Sequence, residues 1–236
     1  MDLRRRLDPE ARYGLRFTLF AVAFLLVVVP FGVLLAEVTR EGPLTRVDTS
    51  AANNLYEWVH DSPGLVRALK VVTTLGSTWF LTVLVVIASV VLLRAGRRRT
   101  TVFLISTSIT TGLLIRLVKA LVSRDRPSLI EPVATAAGKS FPSGHSMGAT
   151  AVYGALLVVF APRLSRRGRR FAVGGYLVLV AAIAFTRLAL GVHYITDVLA
   201  GFVLGCAWLA LAVAAFRVWQ QEEAVEAAVE ASDPTT

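Results

Sequence analysis

Long uncharged apolar runs alternate with clusters of arginine along this chain. Each run is about twenty residues long, which is the length that an α-helix needs to cross the hydrocarbon core of a bilayer. The pattern therefore predicts an all-α integral membrane protein, with a six-transmembrane-helix bundle in a single membrane-embedded domain over residues 1–236. The predicted spans are residues 17–36, 77–93, 101–121, 143–161, 171–190 and 197–219.

The segment between the first two predicted spans, residues 37–76, is more polar. Its apolar residues, such as Leu65, Leu69 and Val72, recur at helical spacing. This pattern favours one or two short amphipathic helices that lie at the membrane interface between spans one and two. His60 lies in this segment and is expected to be an exposed surface group. No function is predicted for the segment itself.

The arginine clusters predict which side of the membrane each loop faces. With the N-terminus in the cytoplasm, fifteen of the 25 Lys and Arg residues fall in cytoplasmic segments, as the positive-inside rule requires. Residues 220–236 then form a cytoplasmic tail of a multi-pass protein of the cell membrane. The same layout collects the polar residues at the ends of spans three to six on the outer face, so an extracytoplasmic active site is expected.

Composition narrows the possible partners. Hydrophobic residues make up 55% of the chain and charged residues only 17%, with a mean hydropathy of +0.64, whereas soluble domains carry about 25% charged residues. The formal net charge of +9 arises from arginines that flank apolar runs, so it indicates membrane topology rather than nucleic-acid binding. The expected partners are the bilayer and a lipid substrate, with no nucleic acid, and the oligomeric state stays open.

A short motif, Phe141-Pro142-Ser143-Gly144-His145, directly precedes the fourth predicted span. Ser143 is expected to be the N-cap of that helix. The backbone N–H groups of Gly144 and His145 then lie in the first turn, where free N–H groups and the helix dipole attract an anion. A histidine at this position can donate or accept a proton near pH 7.

Cations are predicted to converge on the same face. Lys119 ends the third span, Arg126 follows it, and Arg187 ends the fifth. The planar guanidinium of arginine matches phosphate oxygens two at a time. The sequence offers no Asp/Glu pair or Asp/His cluster of the kind that binds a metal. The predicted ligand is therefore a phosphate group held without a metal or other cofactor.

His193 and Asp197 are four residues apart, so they share a face if the sixth helix begins near His193. Asp197 can then accept one imidazole N–H and leave the other ring nitrogen free to attack phosphorus. His145 has no carboxylate at helical spacing and is expected to protonate the leaving oxygen and then activate water. The pattern predicts a two-step reaction through a phosphohistidine, with the cations stabilising charge on the phosphate oxygens.

The three motifs together resemble the signatures of the type-2 phosphatidic acid phosphatase superfamily, a group of membrane lipid phosphate phosphatases. Six residues separate Lys119 from Arg126-Pro127; the motif Pro142-Ser143-Gly144-His145 follows; five residues then separate Arg187 from His193, and three separate His193 from Asp197. The resemblance implies that His193 is the nucleophile, Asp197 its partner and His145 the acid and base. It implies the following phosphate ligands: Lys119, Arg126, Ser143, Gly144 and Arg187.

The sequence departs from the family pattern at one position and leaves other charges without a role. The family usually has serine before the third-motif arginine, and this chain has Thr186, which keeps the hydroxyl group. Arg116, Arg124 and Lys139 match no motif position. Arg116 shares a helix face with Lys119, so it either lines the bundle interior or extends towards the interface.

Several functions remain open from sequence alone. A lipid phosphatase could act on a polyprenyl diphosphate, a phosphatidylglycerol phosphate or a phosphatidic acid, and analogy favours an isoprenoid diphosphate. A lipid phosphotransferase would use the same site and pass the phosphate to an acceptor other than water. A membrane lipid or anion transporter would place its polar residues near the bilayer midplane, and a vanadate-dependent oxidoreductase would hold vanadate in the same set of cations.

Overall fold

The computed structural model describes residues 25, 27–40, 42–128, 134 and 137–230, and this part of the chain contains helices and no β-strand. The predicted all-α class is therefore confirmed for the described residues. A 3₁₀ turn, Ala161–Arg163, connects the sixth and seventh helices. The helices are α1 (Val27–Thr39), α2 (Pro43–Val59), α3 (Pro63–Thr74), α4 (Thr78–Arg94), α5 (Arg98–Val122), α6 (Gly144–Phe160), α7 (Arg166–Ala189) and α8 (Ile195–Glu230).

Four helical stretches are long and apolar enough to cross a bilayer: Arg98–Val122, Gly144–Arg163, Arg166–Ala189 and Ile195–Gln220. The predicted second span corresponds to α4, which meets the same criterion only together with α3, and these two helices are bent by 41° at their junction. Residues 17–24 and 26 of the first predicted span lie outside the described residues, and α1 covers its second half, residues 27–36. The described residues thus support four or five spans, and the count of six stays a prediction.

Two helices, α2 and α3, occupy most of the segment between the first predicted spans, although residues 37–39 belong to α1. Each begins with a proline in the first turn. Proline has no N–H, and an N–H at this position would have no partner within the helix, so no hydrogen bond is lost. The helices pack against α7, and α2 also contacts α8. His60, at the end of α2, is exposed and its Nδ1 lies 3.0 Å from the Tyr56 carbonyl oxygen, so the prediction of a surface histidine is confirmed.

The last two predicted spans begin and end at different residues from those expected. α7 starts at Arg166 rather than residue 171, because Ser165 caps it by accepting the N–H of Gly168 at 3.1 Å. α8 starts at Ile195 and continues to Glu230. The predicted tail after residue 219 is therefore helical up to residue 230, and residues 231–236 lie outside the described residues.

α6 is the central helix of the bundle and packs against α4, α5, α7 and α8. In an apolar 18-residue stretch of Gly144–Arg163, the span that contains α6, 61% of the residues are buried, whereas in the other three long spans the share is 22% to 28%. Glycine lets α8 approach it closely: a Cβ on Gly201 would lie 2.8 Å from the carbonyl oxygen of Ser143, and one on Gly205 would lie 2.8 Å from Cβ of Thr150. This contact brings the start of α6 against the start of α8.

Candidate active site

The predicted nucleophile and its carboxylate meet at the start of α8. His193 lies in the turn before the helix, and its Nδ1 is 3.2 Å from Oδ2 of Asp197 in the first turn. The backbone N–H of Tyr194 donates to the same oxygen at 2.9 Å. The contact that the spacing predicted is therefore present although α8 begins after His193, because the carboxylate reaches back across the turn.

The two ring nitrogens of His193 face different environments. Burial, together with the positive charges of Arg126 and Arg187, lowers the pKa of His193 to about 4 against the opposing effect of Asp197. The imidazole is then neutral at pH 7 and donates from Nδ1 to Asp197. Its Nε2 accepts a hydrogen bond from Nη1 of Arg126 at 3.2 Å, so the lone pair that would attack faces one of the predicted phosphate ligands.

Lys119 and Arg126 hold the loop before the Ser143 motif through its backbone carbonyls. The Nζ of Lys119 donates to the carbonyl of Lys139 and, at 3.4 Å, to that of Ser140. Arg126 donates from Nε to the carbonyl of Gly138 at 2.9 Å and from Nη1 to that of Val192 at 2.6 Å. The loop after α5 is thereby tied to the turn that carries His193.

Arg187, at the end of α7, is buried with 6% of its surface exposed. Its Nη1 donates to the Thr73 hydroxyl of α3 at 2.8 Å. Its Nε is buried and makes no hydrogen bond to any described residue. A buried guanidinium N–H without an acceptor is costly, and an anion in the site would satisfy it.

The three predicted phosphate-binding cations are near one another. The positive charges of Arg126 and Arg187 act on Lys119, and that of Arg126 acts on Arg187. All three also act on the ring of His145. Gathering like charges at a half-buried site is unfavourable unless an anion binds among them. Among the described residues, no group of three or more His, Cys, Asp or Glu side chains could hold a metal ion.

Ser143 caps α6 as predicted, since its Oγ accepts the backbone N–H of Ser146 at 3.4 Å. Its own N–H donates to the carbonyl oxygen of Asp197 at 2.9 Å, which connects the starts of α6 and α8. Gly144 and His145 form the first turn. The half-buried ring of His145 makes no side-chain hydrogen bond to the described residues, so both of its nitrogens are available to a ligand.

Residues that sequence reasoning left out complete the surroundings of Asp197. Arg124 donates from Nη1 to Oδ1 of Asp197 at 2.7 Å and from Nη2 to Oδ2 of Asp48 at 2.9 Å. The hydroxyl of Ser140 donates to Oδ2 of Asp197. Arg124 lies two positions before the motif arginine, and its nearness to the motif was the only signal for it. Nothing in the sequence pairs Asp48, more than seventy residues earlier, with this loop.

The other charges without a predicted role lie outside this network. Lys139 pairs with Asp125 at 2.8 Å, and both side chains are exposed. Arg116 is exposed on α5 and lines a largely apolar cavity of about 540 Å³ between α4, α5 and α6. This cavity extends along the bundle and reaches Gly76 and Gly144 beside the site. It provides an apolar groove that reaches the first turn of α6.

The chain matches a known protein family and several of its members. The model of the PAP2 superfamily matches residues 100–221. The chain is 33% identical over 147 residues to the phosphatidylglycerophosphatase B of Bacillus subtilis, a match that covers 61% of this chain and 71% of that protein. It is 39% identical over 92 residues to the decaprenylphosphoryl-5-phosphoribose phosphatase of Mycobacterium tuberculosis, covering 38% of this chain and 46% of that protein.

A solved structure has the same architecture. The crystal structure of a transmembrane PAP2 type phosphatidylglycerolphosphate phosphatase from Bacillus subtilis superimposes with a TM-score of 0.74 at 26% sequence identity. The match covers 82% of this chain and 94% of that one. The likeness therefore extends beyond the three motifs to the arrangement of most of the helices.

Proposed function

The chain belongs to the PAP2 superfamily, and on this premise we propose that it hydrolyses a membrane lipid phosphate or diphosphate through a phosphohistidine intermediate. The observation that supports the mechanism most directly is the state of His193. Its Nδ1 lies on the Asp197 carboxylate, and its Nε2 faces Arg126 at 3.2 Å. A neutral imidazole held in this way presents a lone pair to a phosphorus atom bound among cations.

In the first step, Nε2 of His193 attacks phosphorus in line with the bond to the lipid oxygen. The N–P bond forms as the P–O bond breaks, and His145 donates a proton to the leaving oxygen. Asp197 stabilises the positive charge that develops on the imidazole ring of His193. The charge on the equatorial oxygens is stabilised by cations and by donors at the start of α6: Lys119, Arg126, Arg187, Ser143 and Gly144.

In the second step, water attacks the phosphorus of the phosphohistidine. His145, neutral after the first step, accepts a proton from this water as the P–N bond breaks. Inorganic phosphate leaves and His193 returns to its neutral state with Nδ1 donating to Asp197. The cycle consumes one water for each phosphate released and requires no redox change or metal ion.

The apolar groove supports a lipid substrate. It reaches Gly144, at the start of α6, and it is lined mainly by aliphatic side chains of α4 and α5. A hydrocarbon chain in this groove would place its headgroup phosphate beside Ser143 and His145. The named activities of the relatives extend the possible substrates from phosphatidylglycerol phosphate to polyprenyl lipids, and we propose that this chain acts within that range.

We propose that the protein has six membrane spans with both termini in the cytoplasm and the active site on the extracytoplasmic face. The distribution of arginine supports this arrangement. A lipid phosphotransferase remains the second candidate, because the same phosphohistidine could be attacked by an alcohol instead of water. The transporter alternative loses support, since the relatives that the chain matches are named phosphatases.

Phosphate release tests the proposal. Purified protein in detergent should release phosphate from members of a panel that contains phosphatidylglycerol phosphate, phosphatidic acid and a polyprenyl diphosphate. His193→Ala should lose all turnover and His60→Ala, which changes the surface histidine, should retain it. EDTA should leave turnover intact, because no step uses a metal. Turnover by His193→Ala would contradict the phosphohistidine mechanism, and less than one inorganic phosphate per lipid in the presence of an alcohol would favour the phosphotransferase.

A further inference from the structure

A buried ion-paired network connects α2 with the His193–Asp197 pair. Asp48 of α2 is 1% exposed and pairs with Nη2 of Arg124 at 2.9 Å. Nη1 of the same guanidinium pairs with Oδ1 of Asp197 at 2.7 Å. Asp48 lies outside residues 100–221, the part that matches the family model, and no motif includes it.

The network divides the two oxygens of Asp197 between different partners. Arg124 binds Oδ1, while Oδ2 receives the ring N–H of His193 and the hydroxyl of Ser140. A carboxylate held in this way cannot rotate without breaking a charge-assisted hydrogen bond. Arg124 on Oδ1, with the Ser140 hydroxyl and the Tyr194 N–H on Oδ2, therefore sets the direction from Asp197 to Nδ1 and with it the direction of Nε2.

Arg124 is itself fixed on three sides. Its guanidinium lies over the ring of Tyr194, 4.1 Å from the ring centroid. The hydroxyl of Thr196 accepts from Nη1 at 2.7 Å and donates to Asp48, and the Thr196 N–H donates to Oδ1 of Asp48 at 3.1 Å. Burial opposes the charge of Arg124, but its two carboxylate partners outweigh it and raise its pKa.

We propose that Arg124, anchored by Asp48, is a positioning residue that keeps Asp197 ionised and turned towards His193. A buried carboxylate that loses its cation tends to take up a proton. A protonated Asp197 would donate a hydrogen bond to Nδ1 of His193, so Nδ1 would have to be the ring nitrogen without a hydrogen. The neutral ring would then carry its hydrogen on Nε2, which would have no lone pair to attack phosphorus. The inference rests on the proposed role of His193 as the nucleophile.

Asp48 and Arg124 contribute in different ways, and this difference can be measured. Loss of Arg124 removes both the orientation and the positive charge, whereas loss of the Asp48 charge removes an anchor and leaves the guanidinium beside Asp197. Other charged groups also face Asp197 and stay in place in either variant. They are His193, Lys119 and Arg126.

The test compares Arg124→Gln, Arg124→Lys and Asp48→Asn with a control, Arg46→Gln, which changes an exposed arginine on the same helix as Asp48. The assay uses the full chain in detergent and the lipid that it turns over fastest. Arg124→Gln should lower kcat by about 10- to 100-fold, as loss of a partner that orients a reactive group does, with KM changed by less than about threefold. Arg124→Lys should retain an intermediate kcat.

The pH profile of kcat/KM separates positioning from a purely structural role. In Arg124→Gln the His193–Asp197 pair loses a neighbouring cation and should take up its proton at a higher pH, so the acid limb moves up by about one pH unit. In Asp48→Asn kcat should fall about 10-fold without an upward shift of this limb. The substrate contributes the same ionisation to every variant.

The melting temperature in detergent shows whether each variant is folded. Inhibition by inorganic phosphate shows whether its phosphate-binding residues still bind an anion. A folded Arg124→Gln protein with the kcat and pH profile of Arg46→Gln would overturn the inference. If Arg124→Gln does not fold, Asp48→Asn decides, because its side chain has the same shape, and a control-like kcat overturns the inference. If His193→Ala retains turnover, the proposed function fails instead, and that result is independent of the network.

Discussion

His193 is the residue whose state depends most on its neighbours. It is 3% exposed, and Asp197 beside it has no exposed surface. Charged and polar groups reach it from the loop after α5 and from α6, α7 and α8, namely Arg126, Ser140, His145, Arg187 and Asp197. Burial and the cations favour the neutral ring, which is the form that can attack phosphorus.

Titration of His193 should reveal this environment. Its pKa is lowered to about 4 from the ordinary value of about 6.5, so the ring stays neutral as the pH falls from 7 to about 5 and becomes charged only below that. NMR titration of the histidine ring signals should show that the signal lost in His193→Gln has its midpoint well below pH 6.5. A His193 signal with its midpoint near pH 6.5 would contradict the buried neutral state.

Arg187 combines a buried charge with an unused donor. Its Nη1 is bound to Thr73, and its buried Nε has no acceptor among the described residues. Arg187→Lys keeps the charge but removes the planar set of donors that matches phosphate oxygens. We expect kcat/KM to fall at least about 10-fold, the effect of losing roughly one charge-assisted hydrogen bond. Arg170→Lys, at the exposed start of the same helix, should match the wild type, and equal effects in both variants would contradict this role.

At the scale of elements, the contact between α6 and α8 determines the site. The N–H of Ser143 donates to the carbonyl of Asp197 at 2.9 Å, and a Cβ on Gly201 would lie 2.8 Å from the Ser143 carbonyl oxygen. The Ser143 cap of α6 and the start of α8, which carries Asp197, are therefore held together by backbone atoms.

Gly201→Ala should separate the two helix starts. The added methyl group meets backbone atoms that cannot move independently, so we expect a loss of about 1–3 kcal/mol in stability and a larger loss of kcat than of substrate affinity. Gly174→Ala on α7 is the matched control, because a Cβ there has no heavy atom within 4 Å, and it should be neutral or slightly stabilising. Melting temperature and kcat in detergent measure both effects; equal behaviour of the two variants would show that the close approach is not required.

At the scale of the whole molecule, the candidate site lies at one end of the bundle and most arginine clusters lie at the other. Seven of the arginines lie in the turn before α5, in the first turn of α5 and at the start of α7: Arg97, Arg98, Arg99, Arg166, Arg167, Arg169 and Arg170. The ends of α5 and α7 and the starts of α6 and α8 carry the candidate site. Alternation of the helices therefore separates the site from the arginine-rich end.

Labelling from outside the cell tests which end faces the cytoplasm. In a Cys206→Ser background, Lys139→Cys lies at the site end and Arg97→Cys lies at the arginine-rich end. A membrane-impermeant thiol reagent should label the first in intact cells and the second only after permeabilisation, because positively charged loops stay in the cytoplasm. The reverse pattern would place the active site in the cytoplasm.

The sequence by itself determined the helical class, the family and the order of the three motifs. These depend on local information, since the length of an apolar run, a capping serine and a four-residue spacing are all read along one stretch of chain. The prediction that Ser143 caps α6 and that His193 meets Asp197 needed no knowledge of other helices. The predicted starts of α7 and α8 were wrong by a few residues. Hydropathy finds where an apolar run begins, so it excluded the arginine-rich first turns of α7, and it could not separate the first residues of α8 from the turn before them.

Only the tertiary structure decided which charges act together. Arg124 and Lys139 are both near the motifs in sequence, yet Arg124 is buried against Asp48 and Asp197, and Lys139 pairs with exposed Asp125. The pairing of Asp48 with Arg124 joins residues 76 positions apart, and it exists because α2 packs on the start of α8. The free energy of a buried ion pair depends on distance and desolvation in three dimensions, and neither quantity is written in the order of residues.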